Sequence, residues 1–331
     1  MPQIARTRLV LAAALAVAAL VSVTPPAAQA FVPTATTWKP LPADALYDLP
    51  STYNQCHARV PDTDPVACVV GDTASTKTVV LIGDSHAANW IPGLILAATK
   101  AHWRLVLYTK TTCPAMPVNV TLTVSLVAKA TPYYDCRRWR ANVLAKVASW
   151  KPNVVLVGGS HTTRIIGLDG VVFRTTPSAR LQRDAAWKKA TAQLLSRLKK
   201  DVPKAVVLVL HDTPIARQNV VPCVARAVYA TAGDTCSYPV GSAVRRTIRA
   251  AEVAAIAANP NARVVDSFHT VCPTTRCIPA SKGILRYRNA GHLTATFSRT
   301  LWPMWVEVLK RAELPLTPDP YLYRAPTSLT A

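Results

Sequence analysis

Lys77-Thr78-Val79-Val80-Leu81-Ile82-Gly83-Asp84-Ser85-His86 is the stretch that decides the fold. The apolar run at 79–82 predicts a buried strand, and Gly83-Asp84-Ser85 then interrupts the run. Residues 87–91 begin a helix-like pattern. A small polar residue in a tight turn between a parallel strand and a helix lies where open α/β sheets bind ligands. A serine hydroxyl at that place can act as a nucleophile if a base reaches it.

Further short apolar runs alternate with helical patterns along the rest of the chain. Each run is bounded by polar, Pro or Gly residues, as is typical of strands buried on both faces. The alternation predicts an α/β fold, a three-layer α/β/α sandwich with a five-stranded, parallel, doubly wound (flavodoxin-like) sheet. Pro303 predicts a kink or a break in the last helix. The predicted strands are 79–82, 104–108, 154–157, 205–210 and 263–265.

The N-terminal residues predict a secretory signal peptide at 1–30. Basic residues precede an apolar run at 9–23, and Ala28-Gln29-Ala30 fits a cleavage site. The run is short for a membrane span, which needs about 20 residues, so we expect cleavage near Ala30 rather than a retained anchor. We expect an extended Pro-rich arm at 31–55, one α/β domain at 56–315 and a C-terminal tail at 316–331. The expected location is secreted and extracytoplasmic, in the cell envelope.

The chain has eight cysteines, and an exported protein meets an oxidising compartment in which they form disulfides. Many connectivities are possible in principle, but the cysteines fall in neighbouring pairs, which favours local bridges. A metal site lacks support, because His269, Cys272 and Cys277 have no convincing fourth ligand. We therefore expect no metal and no cofactor. The expected bridges join Cys56 to Cys68, Cys113 to Cys136, Cys223 to Cys236 and Cys272 to Cys277.

The formal net charge of +21 favours polyanionic surroundings. Export favours anionic lipid headgroups or acidic cell-envelope polymers over nucleic acid, and no nucleic-acid-binding motif accompanies the scattered basic residues. We therefore expect no nucleic-acid partner. Two interpretations of the charge stay open: peripheral contact with an anionic membrane or polymer, and a G+C-rich genome that enriches Arg, Ala and Pro.

Among the seven histidines, His292 is the candidate base for Ser85. It lies in a polar loop after the last predicted strand and directly before the last helix, and in a doubly wound sheet that loop lies at the edge of the strand tips. His86 adjoins Ser85 and would normally point away from it, so we expect a structural role. His161 and His211 follow strand ends and are candidates for lining the site.

Four segments carry a family resemblance: Gly83-Asp84-Ser85-His86, Lys110-Thr111-Thr112-Cys113-Pro114, Cys136-Arg137-Arg138-Trp139, and Tyr287-x-x-x-x-His292-Leu293-Thr294. They resemble the SGNH/GDSL hydrolase superfamily, and in particular the SGNH domain associated with acyltransferase-3 membrane proteins that O-acylate surface polysaccharides. The resemblance covers roughly 50–312. It implies an exported serine esterase or O-acyltransferase that acts on acyl (acetyl) esters of cell-envelope glycans or lipids. It also implies a multi-spanning membrane acyltransferase as a partner in trans.

The resemblance implies roles for individual residues. Ser85 would be the nucleophile and His292 the general base, and we expect Asp84 to support the turn through hydrogen bonds. An oxyanion hole would use the Ser85 backbone N–H and donors from the loops after the second and third strands. The implied oxyanion or substrate residues are Thr112, Gly159 and Ser160.

The chain departs from the family pattern at the residue that orients the base. The family has an acid three residues before the histidine, and here that residue is Asn289. An amide can orient an imidazole but cannot stabilise an imidazolium as a carboxylate does, and the equivalent change in a serine protease costs about 10⁴ in turnover. Thr112 also replaces a family glycine, and Gly159 with Ser160 replaces a family asparagine. A second hypothesis follows: a catalytically impaired SGNH-fold module that binds an anionic cell-envelope polymer.

Three other residues are weaker candidates for the site. Asp266, just after the last predicted strand, could replace the missing acid, although no spacing argument supports it. Trp90 and Tyr287 could border a sugar-binding cleft, but core packing is the commoner fate of such residues.

Overall fold

The structure is a computed structural model that describes residues 38–123, 130–167, 169–173, 176–216, 218–227 and 236–325. The predicted signal peptide and the first residues of the predicted arm lie outside the described residues. Among the residues described, no helix is long and apolar enough to cross a membrane.

A mainly parallel sheet with helices on both faces forms the centre of the molecule. The strands are β1 (His57–Ala58), β2 (Cys68–Gly71), β3 (Thr78–Gly83), β4 (Arg104–Lys110), β5 (Val154–Val157), β6 (Val206–Leu210), β7 (Tyr238–Pro239), β8 (Ala262–Val265), β9 (Arg276–Cys277), β10 (Ala280–Ser281), β11 (Ile284–Leu285) and β12 (Tyr321–Tyr323). The α-helices are α1 (Tyr53–Cys56), α2 (Ser85–Ala88), α3 (Ile91–Ala101), α4 (Tyr134–Val147), α5 (Pro177–Asp201), α6 (Val221–Arg226), α7 (Val240–Ala243), α8 (Arg246–Ile256), α9 (Ser267–Val271), α10 (Ala295–Thr300) and α11 (Trp302–Ala312).

The five predicted strands are the centre of this sheet. They correspond to β3, β4, β5, β6 and β8, which pair in parallel in the order β4-β3-β5-β6-β8. This order runs outward in both directions from β3, as in a flavodoxin-like sheet. The predicted fold class is therefore confirmed.

The sheet is wider than the sequence predicts. β1 and β12 add parallel strands at its two edges, and β2 pairs antiparallel with β4. β12 belongs to the segment predicted as a C-terminal tail. These added strands have two to four residues and are mostly half-buried, so they lack the continuous apolar run by which a strand is recognised in a sequence.

The two faces of the sheet pack into separate hydrophobic cores. On β3, Val79 and Leu81 face the core formed with α3 and α11, whereas Val80 and Ile82 face the core formed with α4, α5 and α8. All four side chains are completely buried. A strand buried on both faces cannot slip in register without misplacing both cores, so the residue that follows β3 has a fixed position.

Four disulfide bonds join the neighbouring cysteine pairs of the sequence: Cys56 to Cys68, Cys113 to Cys136, Cys223 to Cys236 and Cys272 to Cys277. The second bond ties the loop after β4 to helix α4. Each closes a short loop and restricts the unfolded chain.

The described part of the predicted arm packs against the domain. Trp38 is buried, and the backbone of Lys39 bonds to Gly283 and Leu285 next to and within β11. The Asp48 carbonyl accepts the Ala295 N–H at 2.9 Å, and its carboxylate accepts the Thr296 N–H at 2.9 Å. The arm thereby satisfies free N–H groups at the start of α10.

The predicted break in the last helix lies between α10 and α11. Pro303 stands in the first turn of α11, where its missing N–H costs no helical hydrogen bond.

The end of β3 requires a glycine. A Cβ on Gly83 would lie 2.5 Å from the Ala87 Cβ and 2.5 Å from the Gly158 carbonyl oxygen. Strand β3, helix α2 and the end of β5 therefore approach more closely here than a side chain allows.

We predict that Gly83→Ala destabilises the fold by about 1–3 kcal/mol, because the added methyl overpacks a site walled by backbone. Chemical denaturation measures the loss. Gly241→Ala is the matched control, because the atom nearest to an added Cβ there is the Arg246 Nη2 at 3.7 Å. Equal effects of the two substitutions would contradict the close approach at Gly83.

Candidate active site

Ser85 is the first residue of α2, and Asp84 holds it in place. Asp84 is buried and precedes the helix as its N-cap. Its Oδ1 accepts the His86 N–H at 2.8 Å and its Oδ2 accepts the Ser160 N–H at 2.7 Å. One carboxylate therefore joins the turn after β3 to the loop after β5, and it makes the hydrogen bonds expected of a residue that supports the turn.

Ser85, His292 and Asn289 form a hydrogen-bonded series. The Ser85 Oγ lies 2.9 Å from the His292 Nε2, and the His292 Nδ1 lies 3.0 Å from the Asn289 Oδ1. That same Oδ1 accepts the backbone N–H groups of Gly291 at 3.0 Å and His292 at 2.9 Å. Because the oxygen is an acceptor, the Nδ1 carries the proton, which leaves the Nε2 lone pair free to accept the serine hydroxyl.

Two buried polar side chains position the loop that carries His292. The Asn89 Oδ1 accepts the Leu293 N–H at 3.2 Å, and its amide donates to the Gly291 carbonyl at 3.4 Å. The Thr213 hydroxyl donates to the same carbonyl at 3.0 Å. The backbone on both sides of His292 is therefore bonded to the segments that follow α2 and β6.

A cavity of about 280 Å³ opens beside the serine, and we call it the open cavity. Its walls include Ser85, His292, Thr112 and Ser160. Thr112 has a φ of 54°, in the left-handed region that a threonine rarely occupies. Such a conformation costs of order 1–3 kcal/mol and is concentrated at functional sites.

The residues implied for the oxyanion hole differ in which hydrogen-bond donors they can still offer to a substrate. The Ser160 N–H already binds Asp84, and its hydroxyl pairs with the Thr162 hydroxyl at 2.8 Å. Gly159 packs against the loop after β4, since an added Cβ would lie 2.4 Å from the Pro114 Cβ. The structure thus brings Thr112 and Ser160 to the open cavity with Ser85 and His292, and it places Gly159 against Pro114.

The sequence analysis missed Asp212, which lies just after β6 and pairs with His86. The His86 Nδ1 and the Asp212 Oδ1 are 2.6 Å apart and buried. The Asp212 Oδ2 accepts the His161 N–H at 2.8 Å. A position directly after a predicted strand was the available signal, but nothing in the sequence indicates which histidine the carboxylate meets.

His86 lies against the candidate base and changes its electrostatic environment. The His86 and His292 rings meet edge to face, with their centroids 4.7 Å apart. Burial opposes protonation of His86, but the Asp212 carboxylate outweighs burial and raises the pKa of His86. Burial, cationic His86 and the Arg288 guanidinium lower the pKa of His292 to about 2. His292 is therefore neutral and ready to accept a proton, but its imidazolium form is disfavoured.

Other candidates from the sequence lie away from Ser85. His161 is buried and contacts Glu252 at 2.9 Å, and His211 is completely buried. Asp266 bonds to Arg249 and His269, so it does not replace the missing acid. Both Trp90 and Tyr287 are buried in the core. In the described ranges of the chain, no group of three or more His, Cys, Asp or Glu side chains could hold a metal ion.

Comparisons with known proteins place the chain among SGNH proteins. The family model described as "SGNH domain (fused to AT3 domains)" matches residues 55–307. Among solved structures, the chain is similar to the periplasmic domain of the lipopolysaccharide acetyltransferase of Salmonella ser. Paratyphi A, with 14% identity, coverage of 78% of this chain and 97% of that chain, and a TM-score of 0.49. No curated protein matches the chain.

Two carbohydrate esterases are also similar in structure. A family 2 carbohydrate esterase of Corynascus thermopiles, solved with a carbohydrate-binding domain, has 15% identity and a TM-score of 0.42, and the match covers 71% of this chain and 66% of that chain. A family 2 carbohydrate esterase of Clostridium thermocellum, solved as an active-site mutant, has 11% identity and a TM-score of 0.33, with coverage of 71% and 63%.

We predict that His86→Gln raises the pKa of His292 by at least about one, because the substitution removes a neighbouring cation while the amide can still donate to Asp212. Titration of the His292 ring signals by NMR measures the change. His102→Gln is the control, because the His102 side chain is 82% exposed and pairs with Asp72 instead. An unchanged or lower pKa of His292 in His86→Gln would contradict the electrostatic coupling.

Proposed function

The chain belongs to the family of SGNH domains of the type fused to AT3 domains, and from this premise we propose that it is an exported serine esterase or O-acyltransferase. Its substrates are acyl esters, acetyl esters above all, of cell-envelope glycans or lipids. The observation that carries the proposal is the hydrogen-bonded series from Ser85 through His292 to Asn289 at the carboxyl edge of the sheet.

The proposed reaction begins with proton transfer from the Ser85 hydroxyl to the His292 Nε2. The Ser85 Oγ attacks the ester carbonyl carbon, and the carbonyl oxygen takes up the negative charge. When the tetrahedral intermediate collapses, the bond to the leaving alcohol breaks and His292 gives that alcohol the proton. Water or a glycan hydroxyl then attacks the acyl-serine by the same steps, which yields hydrolysis or transfer respectively.

The oxyanion would be held by donors on the open cavity. The Ser85 N–H begins α2 and has no acceptor within the helix. The Thr112 N–H follows β4 in the strained turn, and the Ser160 hydroxyl lines the same cavity. Donors already aimed at the developing charge lower the barrier without reorganising during the reaction.

The proposed location is extracytoplasmic. Four disulfides in the described residues are typical of an oxidising compartment. Because the family is one of domains fused to AT3 domains, we propose that a membrane acyltransferase acts with this chain in trans. Loss of Arg6 and Arg8 with the predicted signal peptide would lower the net charge from +21 to +19 (21 − 2), which would still favour contact with anionic lipid or polymer at the membrane surface.

A second candidate function is an impaired SGNH-fold module that binds an anionic cell-envelope polymer. Two observations favour it: an amide stands behind the base, and the pKa of His292 is lowered to about 2. Proton transfer to His292 would then be costly, while the cavity and the positive charge of the protein would still bind a polyanion.

We predict that Ser85→Ala lowers kcat for p-nitrophenyl acetate and for an acetylated glycan by at least about 10³-fold, because no nucleophile remains. Ser149→Ala is the matched control, since Ser149 is exposed and lies before β5, at the opposite edge of the sheet. Wild-type rates in Ser85→Ala would rule out a serine mechanism.

We predict that Asn289→Asp raises kcat, by up to about 10⁴-fold, because a carboxylate accepts the same three N–H donors and also stabilises the imidazolium. Esterase kinetics measure the gain. Asn219→Asp is the control, because the Asn219 side-chain oxygen likewise accepts a backbone N–H, that of Val221 at 3.1 Å. A large gain would mean that the wild-type site is impaired, and unchanged kinetics would show that the amide suffices.

A further inference from the structure

The loop after β5 supplies few hydrogen-bond donors to the open cavity. The Ser160 N–H is bonded to Asp84, and the Ser160 hydroxyl pairs with the Thr162 hydroxyl. Gly159 packs against Pro114. Neither Ser160 nor Gly159 replaces the side-chain amide of the family asparagine. Because an oxyanion needs donors that are already in place, another donor on this cavity would contribute directly to the reaction.

His86 lines the same cavity as Ser85, and one of its ring nitrogens has no partner. The Nδ1 lies 2.6 Å from the Asp212 Oδ1 and 3.2 Å from the Thr213 Oγ1. Among the described residues, no group forms a hydrogen bond with the Nε2. The Nε2 is also not one of the fully buried side-chain nitrogens that lack a partner. It is therefore accessible to a group that enters the open cavity.

The charged groups around His86 come from three segments of the chain. Burial opposes protonation of His86, but the carboxylates of Asp212, after β6, and Asp84, before α2, outweigh it and raise the pKa of His86. On the loop before α10, Arg288 opposes the charge and His292 is neutral. A protonated imidazole has two N–H donors, so the Nδ1 can donate to Asp212 while the Nε2 donates into the cavity.

We propose that the His86 imidazolium is a catalytic residue that holds the oxyanion through its Nε2–H and its positive charge, in place of the missing asparagine amide. The inference rests on the proposed function and deepens it, because it assigns a charged donor to that reaction. His86 keeps its proton throughout. The serine proton passes to His292 and then to the leaving alcohol, while the ester carbonyl oxygen gains a negative charge and loses it when the intermediate collapses.

The charge of His86 has two opposite effects on the reaction. It disfavours the imidazolium of His292, whose ring centroid is 4.7 Å from that of His86, and it favours the oxyanion. A charge-assisted hydrogen bond would bring the oxyanion to about 2.8 Å from the Nε2. Because Coulomb energy grows as charges approach, attraction to the oxyanion is the larger of the two effects.

The role of His86 gives the reaction an unusual dependence on pH. When His86 loses a proton, Asp212 retains the Nδ1–H and the Nε2 becomes an acceptor, which repels an oxyanion. Activity is therefore lost as the pH rises through the pKa of His86, which lies above its ordinary value of 6.5. A serine esterase limited only by its histidine base shows the opposite behaviour, because it loses activity as the pH falls through the pKa of that base.

The first test uses the full wild-type chain. Hydrolysis of p-nitrophenyl acetate is measured against pH, the rate of Ser85→Ala is subtracted at each pH, and the His86 ring is titrated by NMR. We expect kcat/KM to fall about tenfold per pH unit above the measured pKa of His86. A profile that stays level or rises through that pKa would overturn the role of His86 and leave the serine mechanism standing. Hydrolysis that does not depend on Ser85 would overturn the proposed function, and this inference with it.

The second test uses His86→Gln, which removes the charge. We expect kcat per folded molecule to fall by at least about 10²-fold, as on loss of an oxyanion-hole donor, and the fall in kcat/KM at high pH to disappear. If His86 acted only by repelling the proton on His292, the same substitution would raise kcat. A gain, or an unchanged kcat, would therefore overturn the inference.

His102→Gln is the matched control for the second test, because the His102 Nδ1 also lies close to a carboxylate, that of Asp72 at 3.0 Å, but the side chain is 82% exposed. We expect wild-type kcat and an unchanged pH profile in this variant. Chemical denaturation gives the folded fraction of each variant. If His86→Gln does not fold, the pH profile of the wild type decides.

Discussion

Two buried carboxylates hold the carboxyl edge of the sheet together, and the geometry of the site depends on them. Asp84 joins the turn after β3 to the loop after β5, and Asp212 joins that same loop to His86 on α2. Each carboxylate accepts hydrogen bonds at both of its oxygens, so neither leaves a buried oxygen without a partner. The site forms at the strand tips because these hydrogen bonds fix the distances between the loops that follow the strands.

The hydrogen bonds of Asp212 also make proton transfer to His292 less favourable. Burial opposes the charged form of His86, but the Asp212 carboxylate raises the pKa of His86, and His86 lies edge to face against the imidazole that must take the serine proton. In an ordinary triad a carboxylate behind the base would offset this repulsion. Here an amide orients the base without offsetting the charge, so orientation and activation of the base are separate properties of this site.

The central sheet and the meeting of Ser85 with His292 could be predicted from the sequence, because they depend on long apolar patterns and on topology. The apolar runs of β3, β4, β5, β6 and β8 reveal the central sheet, and the rule that loops meet at the strand tips brings His292 to Ser85. The short edge strands could not be predicted, because two to four half-buried residues show no hydrophobic periodicity. Asp212 could not be recognised because its partner is set by tertiary packing: His86 is 126 positions from Asp212.

The docked arm also determines when the site can be completed. Asp48, near the beginning of the described chain, caps a helix 248 positions later through Thr296. A chain that emerges from its N-terminus first must therefore hold the arm unpaired until almost its last helix has been made. The contact between the arm and α10 therefore forms only after nearly the whole chain has been made, and a chain truncated before α10 lacks it.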